Sequence, residues 1–206
     1  MMRQGRKGFN LIEAAIVLGV VGLVIGGIWV AAATVMKSYQ INQTATAIVL
    51  TVNRTRVFLK GNFDAVCASL GCGYNMNITR LLQQADVTPT EFPSTTLSPV
   101  PGWLSNSDAI ATPMGTNMVV TMGDWSSFGY ISKAYSVIFF GLDKASCIKL
   151  ITSVSSRFPD NTDLRFVETD TGGAGTSIIP VPVATASTLC SNTDPGNYLI
   201  FYFDYQ

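Results

Sequence analysis

The sequence has no histidine. That absence removes Ser-His-Asp and Cys-His nucleophile systems, histidine general bases and histidine-ligated zinc. Charge is also scarce, at 13% of 206 residues, against about 25% in ordinary soluble domains. Apolar residues make up 48%, so the chain is no disordered polymer and implies a membrane segment or a large buried interface. Thirteen basic side chains balance thirteen acidic ones, which leaves no global basic excess for nucleic acid. No paired CxxC ligand pattern, no G-K-[ST] after a glycine run and no EF-hand loop is present.

The charge that does exist is unevenly placed. Residues 1–8 hold Arg3, Arg6 and Lys7 and no acid, and the remaining chain has ten basic and thirteen acidic side chains. Residues 14–36, AAIVLGVVGLVIGGIWVAAATVM, form a run of 23 residues without a charge. As a helix it spans about 34 Å, enough for a hydrocarbon core of about 30 Å. Three preceding positive charges place the short N-terminus in the cytoplasm and everything beyond about residue 37 on the far side.

The helical pattern continues past Lys37. Ile41, Ala45, Ile48, Val52, Thr55 and Leu59 recur at alternating spacings of four and three, one face of an amphipathic helix. No proline interrupts residues 9–60, and Gly61 provides a stop. The expectation is one helix over 9–60, apolar all round at first and on one face later. Residues 61–118 contain five of the nine prolines and read as loop-rich, with one short helix from Ile78 to Gln84 capped by Asn75 or Asn77. Strands are expected at Asn117–Met122, Tyr135–Phe140, Leu164–Glu168, Ser177–Ile179 and Tyr198–Tyr205, the fourth an edge strand because of Pro180 and Pro182. Asp143 is placed to cap a helix carrying Cys147, Leu150, Ile151 and Val154. The class is α+β, a helical spine with a mainly antiparallel sheet.

Four cysteines, Cys67, Cys72, Cys147 and Cys190, follow the apolar segment. An even count beyond such a segment reads as disulfides in an oxidising compartment. Three connectivities are open and sequence alone does not choose among them; the expected set is a local Cys67–Cys72 and a long-range Cys147–Cys190. As nucleophiles, Cys67 and Cys147 lack a histidine partner. Asp160-Asn161-Thr162-Asp163 reads as a solvated turn, Gly172-Gly173-Ala174-Gly175 as a flexible loop, and Tyr198, Phe201, Tyr202 and Phe203 as a core strand. No cofactor site is visible.

A signal peptide is one reading of the N-terminus, with Ala31-Ala32-Ala33 as its cleavage site, and a plain single-pass anchor is another. A third rests on a specific string. Arg6-Lys7-Gly8-Phe9-Asn10-Leu11-Ile12-Glu13, followed by a long apolar helix, resembles the prepilin peptidase site of type IV pilins. The family pattern is a basic leader ending in glycine, a hydrophobic residue at the cut and glutamate as the fifth mature residue, which is Glu13 when Phe9 is the first. The resemblance implies a prepilin leader over 1–8, cleavage between Gly8 and Phe9 by a membrane aspartic peptidase, and N-methylation of Phe9. It also implies a ladle fold in which the helix over 9–60, with 14–36 as membrane span and filament core, packs on the antiparallel sheet of a head over 61–206 closed by a C-terminal disulfide loop. Ala111-Thr112-Pro113-Met114-Gly115, the Cys147 helix and Cys190 are similar to the type IVb branch, particularly pilins of conjugative thin pili. The eight-residue leader is closer to the IVa branch, and Val30 stands where the family often has proline.

The implied function is that of a structural subunit, not an enzyme. It sits in the bacterial inner membrane before assembly, then in a surface pilus for adhesion, aggregation or conjugative contact. Its implied partners are further copies in a helical filament, the prepilin peptidase and the inner-membrane assembly machinery. A minor pilin, a type II secretion pseudopilin and, from another class, an anchored periplasmic enzyme are the alternatives. Glu13 is the anomaly in the apolar helix. A carboxylate there is costly unless paired, and cleavage creates an amine at Phe9 for it to meet, on a neighbouring subunit or on its own.

Overall fold

A computed structural model describes residues 10–71, 73, 75–90, 92–123, 133–158, 163–169, 174–191 and 198–204. They fall into two compact units, which divide inside the first helix between Tyr39 and Gln40. That helix, α1, runs Leu11–Leu59 without a break. Asn10 begins it: its Oδ1 accepts from Ile12 N at 3.3 Å and its carbonyl from Ala14 N at 3.1 Å, which satisfies donors that no turn precedes. Gly61 follows the last turn at φ +86°, a left-handed conformation that costs a residue without a Cβ little.

The second unit is α+β. Its helices after α1 are α2 (Phe63–Leu70), α3 (Thr79–Gln84), α4 (Lys144–Ser155) and α5 (Val183–Leu189). Its eight strands are β1 (Met76–Asn77), β2 (Ser94–Thr96), β3 (Asp108–Ala111), β4 (Asn117–Gly123), β5 (Ala134–Phe140), β6 (Leu164–Thr169), β7 (Ala174–Thr176) and β8 (Tyr198–Asp204). Every strand pairing is antiparallel, in the order β2-β3-β4-β5-β8-β6-β7, with β1 also on β4. The last strand therefore lies in the middle. β5 and β6 both run against β8, so they are parallel to each other, and α4 makes the crossover between them.

The centre of the sheet is covered on both faces. Val120, Met122, Val137, Phe139, Phe201 and Phe203 join the main core with the buried face of α1 and with α4. Val119, Ile138 and Ile200 point the other way and meet Leu97, Leu104 and Ala109. Two-sided burial explains why β4, β5 and β8 read as continuous apolar runs rather than alternating ones. Asp143 caps α4 as expected, accepting from Ser146 N at 3.0 Å and Ser146 Oγ at 2.8 Å. For α3 the cap position is Ile78 rather than Asn75 or Asn77, with no side-chain cap bond; Asn77 Oδ1, one residue earlier, accepts from Thr79 N at 3.0 Å.

Three expectations are corrected. The stretch 61–118 is more ordered than its prolines suggest: α2, β2 and β3 all lie in it, each short enough to fit between turn residues. No strand occupies 177–179. The edge strand is β7, which takes in Ala174 and Gly175 of the expected glycine loop, where the Phe166 ring fills the space a Gly175 side chain would need. The chain then turns through Pro180 and enters α5 at Pro182, a helix whose start lacks the usual polar cap. Residues 1–9, Cys72, Asp160, Asn161, Thr162, Gly172, Gly173 and Tyr205 lie outside the described residues.

Candidate assembly helix and its anchorage

After Glu13, α1 carries no charge from Ala14 to Met36 and is apolar on every side. Apart from half-buried Ala14, each residue from Leu11 to Lys37 is exposed, Leu11 at 84% and Trp29 at 73%. A helix with no polar face has no stable orientation at a water boundary; it needs lipid or other chains around it. Among the described residues it is the one helix long and apolar enough to cross a membrane. Gly19, Gly22 and Gly26 have open space where a Cβ would be, so a neighbouring helix can approach closely there.

Glu13 lies in the first turn and is exposed. Gly8 and Phe9, the residues expected to act with Glu13, lie outside the described residues.

From Ile41 onward the helix changes character. Ile41, Ala45, Ile48, Val52, Thr55 and Leu59, the expected face, are all buried, joined by Thr44, Ala47 and Thr51. Polar contacts lock this half in place. Tyr135 Oη on β5 donates to the Val52 carbonyl at 3.1 Å. Arg56 Nη2 is 2.5 Å from Asp163 Oδ1, an ion pair that is not aligned as a hydrogen bond. Arg157, after α4, donates to Thr46 Oγ1 at 2.8 Å. Burial pulls the Arg56 guanidinium down, but Asp163 and Tyr135 beside it more than offset this and hold its pKa above the ordinary value. Burial pushes the Tyr135 phenol above the ordinary tyrosine value, while Arg56 pulls the other way.

Asp163, the one described residue of the expected solvated turn, ion-pairs with Arg56. No local sequence pattern marks Arg56 or Tyr135 as its neighbours. What the sequence shows is an arginine set beside Thr55 on the apolar face of α1. Its partner lies more than a hundred residues away, beyond the reach of a local pattern.

The cysteines support the same unit. Cys147 on α4 and Cys190 at the end of α5 are joined, with Cα atoms 6.0 Å apart across a sequence separation of 43. Cys67, buried on α2, is also in a disulfide, and its expected partner Cys72 lies outside the described residues. Lys133 Nζ reaches Asp64 Oδ1 at 2.7 Å and lies 5.4 Å from the Phe63 ring centroid, which ties α2 to the start of β5. Among the described residues no group of three or more acidic or cysteine side chains is arranged to hold a metal.

No protein-family model matches the chain, and no curated protein does. Solved structures do match. The chain is similar in fold to two type IV pilins. One is the type IVb pilin of Salmonella typhi, at 18% identity and a TM-score of 0.47, over 75% of this chain and 97% of that one. The other is TcpA, a type IV pilin of Vibrio cholerae El Tor, at 17% identity and a TM-score of 0.43, over 78% and 98%.

Proposed function

We propose that the chain is a type IVb-like pilin, a subunit that is processed at its N-terminus and assembles through α1 into a surface filament. The observation that carries the reading is the change of character within one continuous helix. From Ala14 to Met36 every side is apolar, and all but half-buried Ala14 are exposed; from Ile41 onward one face is buried under an antiparallel sheet. Combined with the Arg6–Glu13 string, this is what a membrane-parked, filament-forming subunit needs. The apolar half rests in the inner membrane before assembly, and packing against the same half of other copies compensates for leaving the lipid.

In this reading a prepilin peptidase cuts between Gly8 and Phe9 and methylates the new amine. Glu13 of an incoming copy pairs with the Phe9 amine of a neighbour and sets the axial register, since a charge in an apolar bundle is tolerated only when paired. Adhesion, aggregation or conjugative contact would be the filament's task. Intact mass and N-terminal sequencing of protein sheared from cell surfaces test the reading. Chains that begin with N-methylated Phe9, about 4 Da below the fully reduced mass for two disulfides, are expected. A start at Met1 or Thr34 returns the chain to a plain anchor or a secreted domain.

A further inference from the structure

On the sheet face opposite α1, the end of β5, the β3–β4 turn and the loop after β2 enclose a cleft of about 290 Å³. Its walls include Pro99, Val100 and Pro101 on one side and Phe140 on the other, with Ser98 and Asn117 at the polar edge. These walls are set before any ligand arrives. The Thr112 and Thr116 hydroxyls share a hydrogen bond of 2.7 Å, and Thr112 N donates to the Thr116 carbonyl at 2.9 Å, which fixes the turn. Phe140 is held by Trp103, stacked at 6.1 Å, and by Tyr198 at 6.4 Å. Asn117 is the cross-strand partner of Phe140, so an amide and an aromatic ring stand side by side on one face.

The geometry points to a binding site for one neutral hexose ring, free or at the end of a glycan. Among the described residues no charged side chain lines the cleft, so an ionic ligand would lose its hydration without a partner there. A wholly apolar ligand would instead bury the Ser98 hydroxyl and the Asn117 amide, which make no hydrogen bond among the described residues. A pyranose satisfies both walls: its C–H face lies on Phe140 and the prolines while its hydroxyls reach Ser98 and Asn117. The volume is at the small end of ligand sites, about 300 Å³ and upward, and admits one ring rather than an oligosaccharide. Walls held by proline, paired threonines and stacked aromatics lose little freedom on binding.

The test is saturation-transfer NMR with titration on the full chain in a detergent without a sugar headgroup. The probes are D-galactose, D-glucose, D-mannose and N-acetyl-D-glucosamine, with N-acetylneuraminic acid and a neutral Val-Pro-Val peptide alongside. At least one neutral sugar is expected to bind saturably. Asn117→Ala and Val100→Trp, the latter filling the cleft from an exposed loop, should each weaken it by about tenfold or more, a change of about 1.4 kcal/mol. Lys60→Ala, exposed just after α1, should leave it unchanged, and thermal melts establish that each variant is folded. Failure of all four sugars, binding indifferent to both cleft variants, or preference for the acid or the peptide would each overturn the proposal.

Discussion

The Tyr135 phenol donates to the Val52 carbonyl at 3.1 Å, joining the middle of the sheet to the backbone of α1 across 83 residues of sequence. The contact is buried and lies next to the Arg56–Asp163 ion pair, so it holds the helix to the sheet where the apolar face alone would permit sliding. Tyr135→Phe keeps the ring and removes the donor. It should cost about 1 kcal/mol near neutral pH, read by denaturant unfolding.

The same residue predicts a pH dependence. Its folded pKa is raised, mainly by burial, so the unfolded chain loses the Tyr135 proton first as pH rises. Stability from this group is therefore complete below the unfolded value, about pH 10, and declines above it. Melting temperatures between pH 8 and 11 should fall less steeply in Tyr135→Phe than in the parent. Equal slopes would show that the phenol is not the group responsible.

Thr51 Oγ1 is buried in the interface between α1 and the sheet and has no hydrogen-bond partner among the described residues. Removing an unpaired buried hydroxyl without changing shape should be neutral or stabilising. Thr51→Val is expected to raise stability by up to about 1 kcal/mol. Thr44, whose hydroxyl donates to the Gln40 carbonyl at 2.9 Å, is the control, and Thr44→Val should be the less stable of the two. Destabilisation by Thr51→Val beyond that of the control would mean that its hydroxyl has a partner.

The Cys147–Cys190 bridge closes a loop across a sequence separation of 43. In the chain-entropy account such a closure stabilises by about 4 kcal/mol. Cys147→Ala with Cys190→Ala should lower the urea midpoint accordingly and leave α1 helical by circular dichroism. A shift of under about 1 kcal/mol would mean that α4 and α5 hold together through packing alone.

Glu13→Val tests the assembly reading apart from the processing reading. Cleavage at Gly8 and anchoring should persist, because the apolar segment is intact, while surface filaments should disappear. Filaments of normal number and length from this variant would rule out the register role of Glu13.

What could be read from the linear order were features set by neighbours a few residues apart. The helix, its six-residue buried face, the Asp143 cap and the apolar strands β4, β5 and β8 all repeat at fixed short spacings. Short elements escaped the same reasoning. β2, β3 and β7 have three or four residues each, too few for a period to show, and they are strands because a longer neighbour offers them a ladder. α5 follows two prolines that locally suggest an extended edge; it is helical where Cys190 meets Cys147 and Leu189 enters the core.

The sequence by itself determined that one long helix carries an uninterrupted apolar surface and then an apolar stripe, because side-chain chemistry and a 3.6-residue period need no distant partner. Only the tertiary structure decided that β8, last in the chain, lies between β5 and β6. It alone decided that Arg56 meets Asp163 beside Tyr135, and that Phe140, Asn117 and a proline loop line one cleft. Those juxtapositions join residues tens to more than a hundred positions apart, and they exist only once burying both faces of the sheet has brought the segments together.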